Sequence, residues 1–166
     1  MGASERVMNT SRKALAVLLP GLLVSLYGVY VEINASADPD YRAACDFTAW
    51  ISCTRALNSA YSRGFGLVEQ YLGADNILNQ PNAIYGVFGY TFLAFLQLSP
   101  SLASAYVSLL AAIVMNMSTV YLFIAQLHLG VVCIVCYSIY VVNFVFLIIT
   151  LKRRNAISTF HAKKNI

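Results

Sequence analysis

Long apolar stretches joined by short polar links dominate the chain and predict membrane-spanning helices. A span requires about 20 mainly apolar residues, within a range of roughly 17–25. The links at Ser99–Ser101 and His128–Leu129 are so short that the helices on either side must run antiparallel. The pattern predicts an all-α membrane protein with a single domain, a four-transmembrane-helix bundle whose spans cover 14–33, 82–98, 101–127 and 130–151.

The composition supports a membrane protein and argues against two other classes. Of the 166 residues, 59% are hydrophobic and 11% are charged, whereas an ordinary soluble domain carries about 25% charged residues. No Asp, Glu, Lys or Arg occurs from Asn76 to Leu151, which a soluble domain could not easily present to water. Nucleic-acid binding is disfavoured because no basic face is interleaved with aromatic residues.

Basic residues flank the apolar segments at both ends of the chain and predict its orientation. Lys and Arg concentrate in the cytoplasmic parts of membrane proteins, and an even number of spans brings both termini to one side. We therefore predict cytoplasmic termini, with residues 152–166 as a cytoplasmic tail. The tetrapeptide KKNI at 163–166 matches the dilysine pattern that retrieves membrane proteins, which predicts a multi-pass protein of the endoplasmic reticulum membrane.

The first apolar segment has an alternative interpretation as a cleaved signal peptide, because Ala35–Ala37 resembles a small-residue cleavage site. However, the run from Ala14 to Val31 is longer than the roughly 7–15 apolar residues of a signal peptide. Tyr27 and Tyr30 near its end are typical of an interfacial aromatic belt. We therefore predict a retained anchor.

Residues 34–81 form a sizeable polar segment on the predicted luminal side. This segment also carries many apolar and aromatic residues, which a disordered loop rarely does. We predict that it folds as a luminal cap over the mouth of the bundle. Within the cap, Thr54–Arg63 is a candidate short helix that Gly64 ends.

The four cysteines form two pairs of different character. Cys45 and Cys53 lie eight positions apart in the loop, and Cys133 and Cys136 lie three apart at the start of the last span. A disulfide between residues three apart closes almost no loop and adds little stability. The second pair therefore favours electron exchange, with a thiolate stabilised by the helix N-terminus. The first pair is equally compatible with a structural disulfide.

Zinc is a competing use of four cysteines, but it is disfavoured because the first pair has seven intervening residues instead of the two of a zinc knuckle. We predict no metal site and no tightly bound cofactor. Exchange between the pairs requires only that one cysteine of each come into contact. Cys53, at the start of the candidate loop helix, is the better relay, and Cys45 is the better outward acceptor. The helix pair at the bilayer edge is suited to a lipid-soluble quinone.

Four motifs carry a family resemblance: CDFTAWISC at 45–53, RGFGLVE at 63–69, ILNQPNAIYG at 77–86 and CIVCYSIYVVN at 133–143. Their order and spacing closely resemble the vitamin K epoxide reductase family, and the third motif is most similar to its vertebrate reductase-like branch. The resemblance implies a four-helix enzyme of the endoplasmic reticulum. Such an enzyme reduces vitamin K 2,3-epoxide to the quinone and the quinone to the hydroquinone, and it binds 4-hydroxycoumarin anticoagulants such as warfarin.

The resemblance also implies roles for the four cysteines. Cys136 would be the nucleophile that attacks the substrate, and Cys133 the resolving thiol. Cys53 would relay electrons to that pair, and Cys45 would accept them from a thioredoxin-like luminal oxidoreductase through a transient mixed disulfide. The enzyme would act as a monomer that requires a thiol reductant.

The substrate-binding residues implied by the resemblance are Asn82 and Tyr140, which would donate hydrogen bonds to the two oxygen-bearing ends of the substrate. Tyr140 lies four residues after Cys136, so both lie on one face of the helix. The Asn82 amide supplies donors without adding a charge to an apolar cavity. Further residues predicted to line the pocket are Leu57, Ser59, Tyr61, Tyr85 and Val135.

Two alternative functions remain open on the sequence. Electrons could run the other way, so that the chain forms disulfides in luminal proteins at the expense of a quinone, as bacterial disulfide-forming membrane enzymes do. The chain could also be a non-catalytic tetraspan protein with structural disulfides.

Overall fold

The computed structural model describes residues 2–164, and this part of the chain is built from α-helices and short 3-10 turns. Two short helices lie between the first two long ones. In chain order the helices are α1 (Ala3–Ala37), α2 (Cys53–Leu57), α3 (Val68–Leu72), α4 (Asn82–Gln97), α5 (Leu102–Leu129) and α6 (Ile134–Lys164). The prediction of an all-α protein is confirmed for the described residues.

Three of the long helices are long and apolar enough to cross a membrane, over Ser4–Ala37, Leu102–Leu129 and Ile134–Ala162. The fourth long helix, α4, has 16 residues and spans about 24 Å at 1.5 Å per residue. That length is less than the roughly 30 Å of a bilayer hydrocarbon core. Length and composition therefore support a multi-pass membrane protein, and a fourth crossing by α4 stays a prediction.

Several boundaries differ from those that hydropathy predicted. The predicted tail 152–166 is helical in its described part, because α6 continues to Lys164 and Lys, Arg and Ala favour helix; its place in the cytoplasm stays a prediction. The loop helix predicted over Thr54–Arg63 was too long, since α2 covers Cys53–Leu57 and a 3-10 turn follows at Ala60–Ser62. The retrieval motif at 163–166 extends beyond the described residues.

The link before α6 also lies further along the chain than predicted. The helix α5 ends at Leu129, and Gly130 adopts a left-handed conformation with φ of 60°. Glycine carries no Cβ and adopts this helix-ending conformation without steric cost. Residues 130–133 therefore form the link, in place of His128–Leu129, and Cys133 comes directly before α6.

Consecutive long helices run antiparallel, so both ends of the described chain lie at the same end of the bundle. Val7 near the start of α1, Ala105 near the start of α5 and Ile157 near the end of α6 share one buried cluster. At the opposite end, residues of the loop 38–81 pack against Val31 of α1 and against the start of α6. The helix α1 packs closely on α4, where a Cβ at Gly86 would collide with the Ser25 side chain.

A buried arginine holds the first end of the bundle together. Arg153 of α6 has no exposed surface, and its Nε donates to Ser11 Oγ of α1 at 3.1 Å. Its Nη2 donates to the carbonyl oxygens of Leu96 and Ser99 at 3.1 and 2.7 Å and to Ser104 Oγ at 3.3 Å. The last carbonyls of a helix have no partner within the helix, so Arg153 caps α4 while it contacts α1 and the start of α5.

We expect Arg153→Met to destabilise the protein, because the part-buried carbonyls at the end of α4 lose their donor. Removing a charged hydrogen-bond partner from buried groups costs on the order of 3 kcal/mol, so the melting temperature in detergent should fall clearly. Lys152→Met is the matched control, since Lys152 is exposed next to it, and should melt like the wild type. Equal melting temperatures for the two variants would contradict this role.

Candidate functional site

An apolar cavity of about 270 Å³ lies between the long helices and beneath the loop. Its size is close to the lower end of the roughly 300–1,000 Å³ that is typical of ligand cavities. The helices α4 and α5, which share few contacts with each other, both contribute to its wall. Eight of the predicted site residues line it: Leu57, Ser59, Tyr61, Asn82, Tyr85, Val135, Cys136 and Tyr140. Their roles toward a ligand stay predictions.

The helix cysteines lie at the wall of this cavity as free thiols. Cys136 lines the cavity, whereas Cys133 lies behind it with no exposed surface. The two Sγ atoms are 2.7 Å apart, and the backbone N–H of Cys136 donates to Cys133 Sγ at 3.2 Å. Cys133 therefore faces the unpaired N–H groups at the start of α6, where a negative charge on sulfur is stabilised. Of this pair, Cys136 is the residue that borders the cavity.

Backbone hydrogen bonds bring the loop to the start of α6. The Val132 N–H donates to the Trp50 carbonyl oxygen at 2.7 Å, and the Ser52 N–H donates to the Val132 carbonyl oxygen at 3.0 Å. Cys53 follows Ser52 and Cys133 follows Val132. The pairing therefore brings one cysteine of each pair to the junction between the loop and the link before α6. Both are fully buried in one hydrophobic cluster.

The loop cysteines, Cys45 and Cys53, are joined by a disulfide bond. Cys45 is 8% exposed and Cys53 has no exposed surface, whereas Phe47 and Trp50 between them are 67% and 60% exposed. The disulfide is thus largely buried, whereas the turn between its two cysteines presents aromatic side chains at the surface.

An aspartate organises the turn between the loop cysteines. Asp46 accepts hydrogen bonds from Ser52 Oγ at 2.9 Å, from the Thr54 N–H at 3.0 Å and from the Ala43 N–H at 3.1 Å. Desolvation by burial acts to raise the pKa of this carboxyl, but the hydrogen bonds from Thr54, Ser52 and Ala43 outweigh it and lower the pKa below its usual value. The sequence analysis did not identify Asp46, although it is the one acidic residue of the motif at 45–53.

The Asn82 side chain ties the loop to α4. Its Nδ2 donates to the Tyr61 carbonyl oxygen at 2.7 Å, and its Oδ1 accepts from the Phe65 N–H at 2.9 Å. An amide nitrogen carries two hydrogens, so one remains for a ligand. The structure therefore gives Asn82 a loop-holding role that the sequence analysis did not foresee, beside the predicted substrate contact.

Tyr140 meets a second polar residue that the sequence analysis missed. Gln126 of α5 is only 6% exposed and lines the same cavity. Its Nε2 donates to the Tyr140 hydroxyl oxygen at 3.1 Å. The available signal was that Gln126 is one of two amides, with Asn116, in a largely apolar span, but periodicity could not tell which face of that span borders a cavity.

A polar network crosses the cavity wall further along α6. The Tyr90 hydroxyl donates to Asn143 Oδ1 at 2.6 Å, and Asn143 Nδ2 donates to Thr119 Oγ1 at 3.0 Å. Asn116 Nδ2 donates to the Asn143 carbonyl oxygen at 3.0 Å. These hydrogen bonds join α4, α5 and α6, and they satisfy amide groups that would otherwise be costly in an apolar interior.

Comparison with known proteins matches residues 13–151 to the model of the "Vitamin K epoxide reductase family". The chain belongs to this family. The vitamin K epoxide reductase complex subunit 1 of Rattus norvegicus and that of Mus musculus are each 40% identical to it over 144 residues, which cover 86% of this chain and 88% of each relative. The resemblance drawn from the four motifs is thus confirmed at the level of the vitamin K epoxide reductase family.

We expect protonation of Asp46 to loosen the turn over the loop disulfide. Because the pKa of Asp46 is lowered in the folded chain, its stabilising effect is fully present above the unfolded-state value of about 3.9. That effect is lost as the pH falls through the lower folded-state value. The rate at which a water-soluble phosphine reduces the disulfide should therefore stay low from neutral pH downward and rise below about pH 4.

Two variants check this assignment. Asp46→Asn should give fast reduction at neutral pH without the acid step, because the neutral amide cannot replace the carboxylate as acceptor of three hydrogen bonds. Asp40→Asn changes an exposed carboxyl nearby and should keep the wild-type profile. An acid step that survives in Asp46→Asn would assign it to another group.

Proposed function

We propose that this chain is a membrane-bound, thiol-driven reductase that converts vitamin K 2,3-epoxide to the quinone and the quinone to the hydroquinone. Membership of the family supports an oxidoreductase of this type. The observation that carries the proposal is the shared cluster of Cys53 and Cys133, next to Cys136 at the wall of an apolar cavity. Two purely structural disulfides would not require the cysteine pairs to lie next to each other at the wall of a cavity.

The chemistry balances with the dithiol as the reductant. Cys136 transfers its thiol proton to Cys133 Sγ, which lies 2.7 Å away, and its sulfur attacks the substrate ring while the epoxide C–O bond opens and the epoxide oxygen takes up a proton. Cys133 then attacks Cys136 Sγ, which forms the Cys133–Cys136 disulfide and breaks the S–C bond. The electron pair of that bond returns to the ring, and the ring hydroxyl leaves as water. In sum, two thiols and the epoxide give one disulfide, the quinone and water. In the second reaction, two thiols and the quinone give one disulfide and the hydroquinone.

The helix pair is reduced again through the loop pair. The Cys53 thiolate attacks the disulfide at Cys133, and Cys45 then resolves the mixed disulfide, which leaves a Cys45–Cys53 disulfide and a reduced helix pair. A thioredoxin-like luminal dithiol protein reduces the loop disulfide in turn. Movement of the exposed turn that carries Phe47 and Trp50 gives this partner access to the sulfurs.

The membrane arrangement follows from the same proposal. Four crossings, including the short α4, leave both termini in the cytoplasm and the loop as a cap on the luminal side of the endoplasmic reticulum membrane. The substrate enters from the bilayer, since it is soluble in lipid and the cavity wall is apolar. A 4-hydroxycoumarin, which is also a flat oxygen-bearing ring system, competes for the same cavity. A monomer contains all of these parts.

We expect Cys136→Ser and Cys133→Ser to abolish epoxide reduction in microsomes with any reductant, because each breaks the dithiol. Cys45→Ser and Cys53→Ser should abolish turnover with a thioredoxin-like protein but retain it with dithiothreitol, since a small dithiol reduces the helix pair directly. The measurement is the conversion of vitamin K epoxide to quinone and hydroquinone by chromatography.

Two results would contradict the proposal. Activity that persists in Cys136→Ser with dithiothreitol would remove the catalytic role of the helix pair. A purified wild-type chain that oxidises a reduced luminal protein with a quinone, yet leaves the epoxide unchanged under dithiothreitol, would assign it instead as a disulfide-forming enzyme. Alanine variants of the same cysteines serve as controls for the added hydroxyl of serine.

A further inference from the structure

The contact between Gln126 and Tyr140 has a direction that matters for chemistry. A tyrosine hydroxyl has one proton to donate and can accept hydrogen bonds on its oxygen. The Gln126 N–H occupies an acceptor position on that oxygen at 3.1 Å. Within the described residues, the hydroxyl proton of Tyr140 has no protein acceptor of its own. It is therefore available to a molecule in the cavity that both residues line.

The surroundings of Gln126 indicate that its amide serves the cavity more than helix packing. Gln97 is a similarly buried glutamine, and its Nε2 donates to the Leu93 carbonyl oxygen and to Ser108 Oγ of the neighbouring helix. By contrast, Gln126 Nε2 donates to the phenol of Tyr140, which lines the cavity. The Oε1 atoms of both glutamines are buried without a hydrogen-bond partner in the described part of the chain, so the target of the N–H donor is what distinguishes them. The donor of Gln126 therefore serves a group that borders the cavity, whereas the donor of Gln97 serves its own helix and a neighbouring helix.

We propose that Gln126 is a positioning residue for the reaction, acting through Tyr140. This inference rests on the proposed function. By occupying an acceptor site on the phenol oxygen, the Gln126 N–H directs the phenol proton toward the substrate oxygen. Hydrogen bonds in a chain polarise one another, so the same contact makes the phenol a stronger donor.

The effect is larger in the transition state than in the bound substrate. As the epoxide C–O bond opens or a quinone carbonyl is reduced, negative charge grows on the oxygen that Tyr140 faces. A donor that is aimed in advance stabilises this developing charge. An interaction that strengthens only in the transition state acts on kcat and leaves KM nearly unchanged. Gln126 should therefore influence the rate of reduction more than the binding of the substrate.

The test is a double-mutant cycle on the full-length protein in detergent, with dithiothreitol as the reductant and vitamin K epoxide as the substrate. Tyr140→Phe should lower kcat by on the order of a hundredfold, as loss of a direct donor does. Gln126→Met, which keeps the size and loses the N–H, should lower kcat by roughly tenfold, less than the loss of the direct donor. Its KM should stay within about twofold, as for an interaction made only in the transition state.

The combination of the two changes decides the inference. If Gln126 acts through Tyr140, the double variant should be no slower than Tyr140→Phe alone, because the hydroxyl that Gln126 orients is already absent. Losses that multiply, or an unchanged kcat in Gln126→Met, would overturn the role. Gln126→Asn, whose shorter amide does not reach the phenol, should match Gln126→Met and carries the test if the methionine variant does not fold.

Gln97→Met is the matched control, since it removes a glutamine of similar burial at the other end of the bundle. It should keep the wild-type kcat, and melting temperatures of all variants separate loss of fold from loss of rate. The wild type is measured in the same assay. A wild type that reduces neither the epoxide nor the quinone overturns both the proposed function and this inference, whereas multiplying losses on an active wild type overturn the role of Gln126 alone.

Discussion

The backbone pairing of Trp50 and Ser52 with Val132 is the constraint on which the rest of the site depends. Two hydrogen bonds of 2.7 and 3.0 Å hold the loop against the link before α6. They bring Cys53 and Cys133 together although the two are far apart in the chain. Asp46 fixes the loop side of this junction, and the left-handed turn at Gly130 brings the other side into position. The exchange of electrons between the cysteine pairs requires contact of this kind.

The same junction also shields the sulfurs. Cys53 and Cys133 are fully buried, so water and small oxidants have little access to the point at which the pairs meet. Excluding water from a reactive site limits side reactions. In the proposed cycle, a thiol of a partner protein has to reach this buried disulfide. The exposed Phe47 and Trp50 lie between the two loop cysteines, so this turn is the surface that the proposed partner would meet first.

A feature of this protein could be predicted when it depends on residues that are close together in the sequence. The cysteine pairs, the helices and the family were predictable, because a C-x-x-C spacing and a long apolar run are local features. The end of α2 was missed, since Asn58 caps it at Leu57 well before Gly64. The extent of α6 was missed because hydropathy identifies only the apolar part of a helix, whereas α6 continues into a polar sequence. Gln126 was missed because a span that is apolar all round has no face that marks the cavity.

The sequence by itself determined the class of the molecule and its chemical groups, namely apolar helices, two thiol pairs, and an amide and a phenol available as donors. Only the tertiary structure decided which sulfur of the helix pair borders the cavity and that Cys53 and Cys133 share one buried cluster. It also showed that the Asn82 side chain forms hydrogen bonds with the loop and that Gln126 donates a hydrogen bond to Tyr140. The reason is that spacing along a helix or turn relates residues a few positions apart, whereas these contacts join a loop and separate helices whose approach depends on how the whole bundle packs.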